Sequence, residues 1–289
     1  MLDWEANTDP EFYKHRHFEP APVASLDAMS AAGYCEKWIV YYSDKAAVAA
    51  FAPYSLVIFD SRYHPPLAPV AAQGAQILGY ISVGEASPDY PYFGQLESEG
   101  LLLRSNPNWP GNRVIDLRDP RWSRRLCEEV IPAVRKRGFH GIFLDTLDSA
   151  LHMEEQAPMQ YSGMAAAARS LIRTIRRANP GMPIALNRGY SVLASVAGDI
   201  DIALAESVYT TYDFQTREYK KVDAGVYQRQ IQLLRAAVAK NRRLRILTLD
   251  YWDPADSPFI RRIYAEQRRN GFSPYVTSID LKDIVSEPM

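Results

Sequence analysis

Cysteine is almost absent: the chain of 289 residues holds two, Cys35 and Cys127. That excludes a disulfide scaffold, and neither cysteine stands in a metal-binding spacing. Both are expected to pack as small apolar residues, with a bond between them left open. An excess of charge of one sign is missing too. With 33 basic against 34 acidic residues the net charge is -1, so no strong field draws the chain to nucleic acid or to an anionic membrane. The total says nothing against a locally acidic cleft for a cationic ligand. No apolar run is long enough to span a bilayer, and the start, Met1-Leu2-Asp3-Trp4-Glu5, lacks the apolar stretch of a secretory signal. The expected location is periplasmic or extracellular if an export signal has been removed, and cytoplasmic otherwise. Internal repeats and low-complexity tracts are also lacking.

The hydrophobic fraction, 47%, is ample for a large core. Eight short runs rich in apolar, β-branched or aromatic residues stand at 38–43, 56–61, 76–83, 141–148, 183–189, 202–209, 245–253 and 273–280. Continuous apolar runs of this length suit strands buried on both faces, as in parallel sheets. Segments with helical spacing lie between them, at 120–137, 164–177, 222–240 and 258–269. Asn179-Pro180-Gly181 and Asn270-Gly271 act as stops. Repeated strand–helix alternation predicts one (β/α)8 TIM barrel spanning 1–289, with 1–33 as an N-terminal extension. A doubly wound sheet fits less well, because the first strand runs into Ser43-Asp44-Lys45 rather than a Gly-rich phosphate loop. The stretch 87–119, rich in Pro, Asn and aromatics including Tyr90, Tyr92, Phe93 and Trp109, predicts an enlarged loop after the third strand, over the barrel mouth.

Polar residues end five of the runs. Asp60 follows Leu-Val-Ile-Phe, Asp145 follows Gly-Ile-Phe-Leu, Asn187 follows Pro-Ile-Ala-Leu, Glu206 follows Ile-Ala-Leu-Ala and Asp250 follows Ile-Leu-Thr-Leu. Any one of these is an ordinary strand end. Five together predict a ring at the C-terminal rim, where barrel active sites lie, because clustered carboxylates are costly unless paired or used. Carboxylates with aromatics fit glycoside hydrolysis, which needs two carboxyl groups flanking the scissile bond. Tyr41, Tyr80, Tyr209, Tyr212, Tyr251 and Trp252 lie near strand ends and are candidates to stack on sugars, with core or rim packing an equal reading for each. Arg188 is either a binding contact or the ion-pair partner of a neighbouring carboxylate. Other barrel chemistries fit less well. The His15-Arg16-His17 spacing precedes the first strand, no later strand ends in lysine, and Asp250-Tyr251-Trp252-Asp253-Pro254 is no phosphate turn. No cofactor or metal is expected.

Three stretches carry a resemblance: Tyr80-Ile-Ser-Val-Gly84-Glu85, the segment from Gly138 through Asp145 to Asp148, and Ala205-Glu206-Ser207. Together with 38–42 and Asp60 they resemble the polygalactosaminidase-type glycoside hydrolases, family 114 and the related Pel-type exopolysaccharide hydrolase domains, over about 38–280. The resemblance implies a (β/α)8 barrel and an endo-acting hydrolase of an α-1,4-linked, partly de-N-acetylated galactosamine polysaccharide. It implies Asp145 and Glu206 as the catalytic pair, nucleophile and acid/base respectively. Such a cationic polymer would suit a cleft lined by Asp60, Glu85 and Asp250. Tyr80, Asn187, Arg188, Tyr209, Tyr251 and Trp252 are the further substrate-binding candidates, and Asp148 either orients a neighbour or caps the next helix. The alternative is a polysaccharide-binding barrel without catalysis. The end soon after the eighth strand fits either a free-standing enzyme or one domain of a longer protein.

Overall fold

The computed structural model describes residues 37–106 and 111–289. The N-terminal extension, the His15-Arg16-His17 spacing, Cys35 and Trp109 lie outside the described residues. Eight parallel strands stand side by side in chain order. They are β1 (Trp38–Tyr41), β2 (Leu56–Phe59), β3 (Gln76–Ser82), β4 (Gly141–Asp145), β5 (Ile184–Asn187), β6 (Ile202–Glu206), β7 (Arg245–Tyr251) and β8 (Ser273–Thr277). Each falls within one of the eight apolar runs. At the seam between β8 and β1, the Tyr42 N–H donates to the Leu281 carbonyl (2.8 Å). The Trp38 indole donates to the Ser273 carbonyl (2.9 Å), and its ring meets Tyr275 edge-on. The sheet is thus a nearly closed (β/α)8 barrel.

Register settles which side chains point inward, because residues paired across parallel strands share a face. The outer face is marked by Gly79, where a Cβ would stand 2.7 Å from Val134 and 3.1 Å from Phe139, on and after the helix Ile131–Lys136. Tyr80 therefore points in. Pairing carries that phase from Tyr80 to Phe143, then Ala185, and from Asn187 to Leu204. Glu206 pairs with Leu249 and Leu249 with Tyr275. On the other side Leu78 pairs with Ile58 and Ile58 with Val40.

Three departures from the sequence reading have local causes. The stretch after β3 is not an irregular loop. It holds a three-stranded antiparallel sheet of Glu85–Ala86, Leu102–Ser105 and Arg113–Ile115, with a helix at Phe93–Ser98. The helix predicted at 120–137 contains a π segment at Leu126–Val130. It lies just ahead of Pro132, which has no N–H to offer the preceding turn. The run at 202–209 ends as a strand at Glu206, and an antiparallel hairpin of Thr210–Asp213 and Glu218–Lys221 follows. Among the described residues no helix is long and apolar enough to cross a membrane.

Candidate active site

Consecutive strand ends place Asp145, Asn187, Glu206 and Tyr251 in one hydrogen-bonded row inside the mouth. Asn187 sits between the carboxylates: its Nδ2 donates to Asp145 Oδ1 (2.7 Å) and to Glu206 Oε2 (2.8 Å). The Tyr251 hydroxyl donates to Glu206 Oε1 (2.6 Å). Tyr80 points inward beside them, its ring tilted against that of Phe143 at 6.1 Å. Tyr42 and Asp60, each one residue past its strand, continue the inward phase. The Tyr42 ring meets Tyr80 edge-on at 5.4 Å.

The residue after each of the three central groups has a left-handed backbone: Thr146 (φ 64), Arg188 (φ 51) and Ser207 (φ 55). A β-branched residue in that region is a genuine outlier, and such conformations persist where the surroundings over-determine them. At Thr146 the surroundings are visible. Its Oγ1 accepts the N–H groups of Gly84 (3.0 Å) and Glu85 (3.1 Å) and lies 2.7 Å from Ser82 Oγ. Gly84 must be glycine, because a Cβ there would sit 2.0 Å from the Thr146 carbonyl oxygen. At Arg188, only 3% exposed, the guanidinium Nε stands 3.2 Å from Asp148 Oδ2, while Asp148 Oδ1 accepts the Gly189 N–H (3.0 Å). Arg188 is thus an ion-pair partner, and Asp148 orients it rather than capping its own helix. Sharp turns after Asp145, Asn187 and Glu206 let each side chain face the mouth while the chain leaves at once for the outer shell.

Burial pushes the Glu206 carboxyl above the usual carboxylate range, and the negative charge of Asp145 pushes the same way. The Tyr251 hydroxyl, Arg188 and the Asn187 amide pull it part of the way back. Tyr42, Tyr80 and Tyr251 are raised well above an ordinary phenol, first by burial and then by nearby carboxylates. They stay protonated, which leaves the Tyr251 hydroxyl a donor to Glu206. Glu206 thus holds its proton more tightly than an exposed glutamate, beside a second carboxylate.

Several sequence candidates are not brought to this row. Asp250 is fully buried. Its Oδ1 accepts the N–H groups of Tyr209 (2.7 Å) and Thr210 (2.9 Å), and its Oδ2 accepts from Gln267 (2.8 Å). One residue out of phase with Tyr251, it faces the outer shell and ties the loop after β6 to the helix Ser257–Arg269. Glu85, 2% exposed, accepts from Asn106 Nδ2 (2.7 Å) and from the Ser149 hydroxyl, and so clamps the inserted sheet to the helix after β4. Tyr209 and Trp252 pack on Phe259 at 6.4 and 4.2 Å, and the Trp252 indole donates to Asp256 (3.0 Å). Both thus pack on that outer helix, and Trp252 also tilts against Tyr219 of the hairpin after β6 at 6.2 Å. Tyr41 also points outward, its hydroxyl accepting the Ala46 N–H (3.0 Å). The inward residue is Tyr42, which the sequence reading did not single out. Counting in steps of two from Trp38 would have found it. Among the described residues no group of three or more His, Cys, Asp or Glu side chains is placed to hold a metal ion.

A model of glycoside-hydrolase family GH114 matches residues 23–288. An uncharacterized protein of Deinococcus radiodurans is 26% identical over 280 residues, covering 92% of this chain and 87% of that one. The glycoside hydrolase domain of PelA from Pseudomonas aeruginosa superposes with a TM-score of 0.76 at 24% identity, over 87% of this chain and 98% of that one. Ega3 of Aspergillus fumigatus, solved in complex with galactosamine, superposes with a TM-score of 0.65 at 13% identity, over 92% and 99%. These two structural likenesses carry the barrel fold.

Proposed function

This chain belongs to glycoside-hydrolase family GH114 and so is a glycoside hydrolase acting on a polysaccharide, and we propose that it cuts within α-1,4-linked, partly de-N-acetylated galactosamine chains, with Asp145 as nucleophile and Glu206 as acid/base. One observation carries the assignment of the pair: a single amide nitrogen, Asn187 Nδ2, bonds both carboxylates. Their facing oxygens can be no farther apart than those two bonds laid end to end. That closeness favours the separation of about 5–5.5 Å between carboxyl groups used by retaining glycosidases over the roughly 6.5 Å or more that an inverting enzyme needs for its water.

The chemistry follows. Glu206, whose proton is held more tightly by burial and by the charge of Asp145, gives that proton to the glycosidic oxygen as that bond breaks. Asp145 attacks the anomeric carbon from the other side and forms a glycosyl ester. Glu206, now ionised, takes a proton from water, which displaces Asp145 and restores both groups. Tyr251 and Asn187 hold the Glu206 carboxyl in place through both steps. The galactosamine reading draws support from the galactosamine bound in Ega3 and from the carboxylates at the mouth, Asp60 and Asp145. Glu85 and Asp250, enclosed by protein donors, lend it none. The test is reducing-end release from partly de-N-acetylated α-1,4-galactosamine polymer. Wild type is expected to release ends, and folded Asp145→Asn and Glu206→Gln proteins are not. Release by either variant at the wild-type rate would remove that residue from the mechanism.

A further inference from the structure

Beside the catalytic row a cleft of about 750 Å³ opens along the seam between β1 and β8. That volume is within the range of small-molecule sites. Tyr42 and Asp60 are among its lining residues, and the Tyr42 ring meets that of Tyr80 at 5.4 Å, so the cleft adjoins the barrel mouth. Asp44, Lys45, Lys282 and Asp283 line its outer walls. At its lip stands Tyr63, 61% exposed.

A single exposed tyrosine is ordinary. This one is braced. Asp60 Oδ1 accepts the N–H groups of Arg62 (2.6 Å) and Tyr63 (3.0 Å), fixing the turn that carries it. The Arg62 guanidinium lies 5.4 Å from the Tyr63 ring centre and 4.6 Å from that of Tyr90, and donates to the Asp89 carbonyl (3.1 Å). Tyr90 stacks on Tyr92 at 5.3 Å, and Tyr92 leans on Trp122 at 5.6 Å. Trp122 is fully buried, its indole donating to the Val83 carbonyl (2.9 Å). A ladder of five planar groups thus runs from the core to one solvent-facing ring. Bracing lowers the entropy lost when a ligand settles on that ring.

We propose that Tyr63 is the floor of a sugar-binding subsite remote from the scissile bond, stacking on the apolar face of a pyranose ring in the same polysaccharide chain. This rests on the hydrolase reading for its ligand class. The walls carry both signs of charge, so they offer donors and acceptors to the sugar's edge, while Tyr63 supplies the apolar contact.

The test is calorimetric titration of α-1,4-galactosamine oligosaccharides of increasing length into Glu206→Gln, with and without Tyr63→Ala or Tyr63→Trp. Affinity is expected to rise with length once the subsite is reached. Tyr63→Ala is expected to cut that gain about five- to tenfold, and Tyr63→Trp to keep it. An undiminished gain in Tyr63→Ala, or no binding at any length, overturns the subsite. Reducing-end release by wild type separates the two readings. Hydrolysis without any Tyr63 dependence of binding overturns the subsite alone, whereas Tyr63-dependent binding without hydrolysis keeps the subsite and overturns the proposed activity.

Discussion

Glu206 and Asp250 both end apolar runs on neighbouring strands, and both are raised above the usual carboxylate range by burial, yet they serve opposite ends. Asp250 faces outward into three protein donors, two of them backbone amides, and is closed to any ligand. Glu206 faces inward, held by two side-chain donors beside a second carboxylate. A saturated carboxylate is a structural tie, and an incompletely satisfied one next to a like charge is a reactive group.

Substitutions can break that contrast. The largest effect is expected at the catalytic pair: Asp145→Asn or Glu206→Gln should lower the hydrolysis rate about a thousandfold or more, with melting cooperative as in wild type. Next comes Asp250→Ala, which strands three buried donors. It should cost about 3 kcal/mol of stability in denaturant melts, and activity should fall only as far as the loop after β6 loosens. If Asp250→Ala instead melts like wild type and is inactive, the two carboxylates are not different in kind.

Tyr251→Phe sharpens the contrast. Its hydroxyl is one of the groups that pull the Glu206 carboxyl back down, so its loss should raise that carboxyl further. The alkaline limb of the kcat/KM profile, set by loss of the Glu206 proton, should move to higher pH, and kcat should drop about tenfold. An unmoved limb would detach Tyr251 from the acid.

The smallest effect is on stability. A carboxyl raised by burial binds its proton more tightly folded than unfolded. Its penalty is absent below the ordinary glutamate range and grows as pH rises through the raised folded value. Glu206→Gln removes the penalty. It should melt a few degrees above wild type near neutral pH, for about 1 kcal/mol, with the difference vanishing in acid. A lower melting point at neutral pH would mean that the charge at Glu206 is well accommodated.

Much of the barrel and part of the site were legible because both rest on local patterns. Short runs buried on both faces read as strands, and Asp145, Asn187 and Glu206 stood at strand ends. What stayed hidden depends on phase. Ile-Leu-Thr-Leu before Asp250 looks like Ile-Ala-Leu-Ala before Glu206. Only the pairing of Leu249 with Glu206 turns one carboxylate out and leaves the other in, and register is a property of two strands together. Tyr41 and Tyr42 pose the same problem at the seam itself. Glu85 looked like a rim acid because the donors that enclose it, Asn106 and Ser149, come from two distant stretches. The inserted sheet was hidden by strands of two to four residues, too short for alternation to register.

The central claim is that Asp145 and Glu206, joined through one amide, carry out a double displacement. Proton NMR of the first product from a defined α-1,4-galactosamine oligosaccharide tests it most directly, by following the new anomeric proton before mutarotation. The α-anomer appearing first is the predicted result. The β-anomer appearing first would mean single displacement by water and would contradict the nucleophilic role of Asp145.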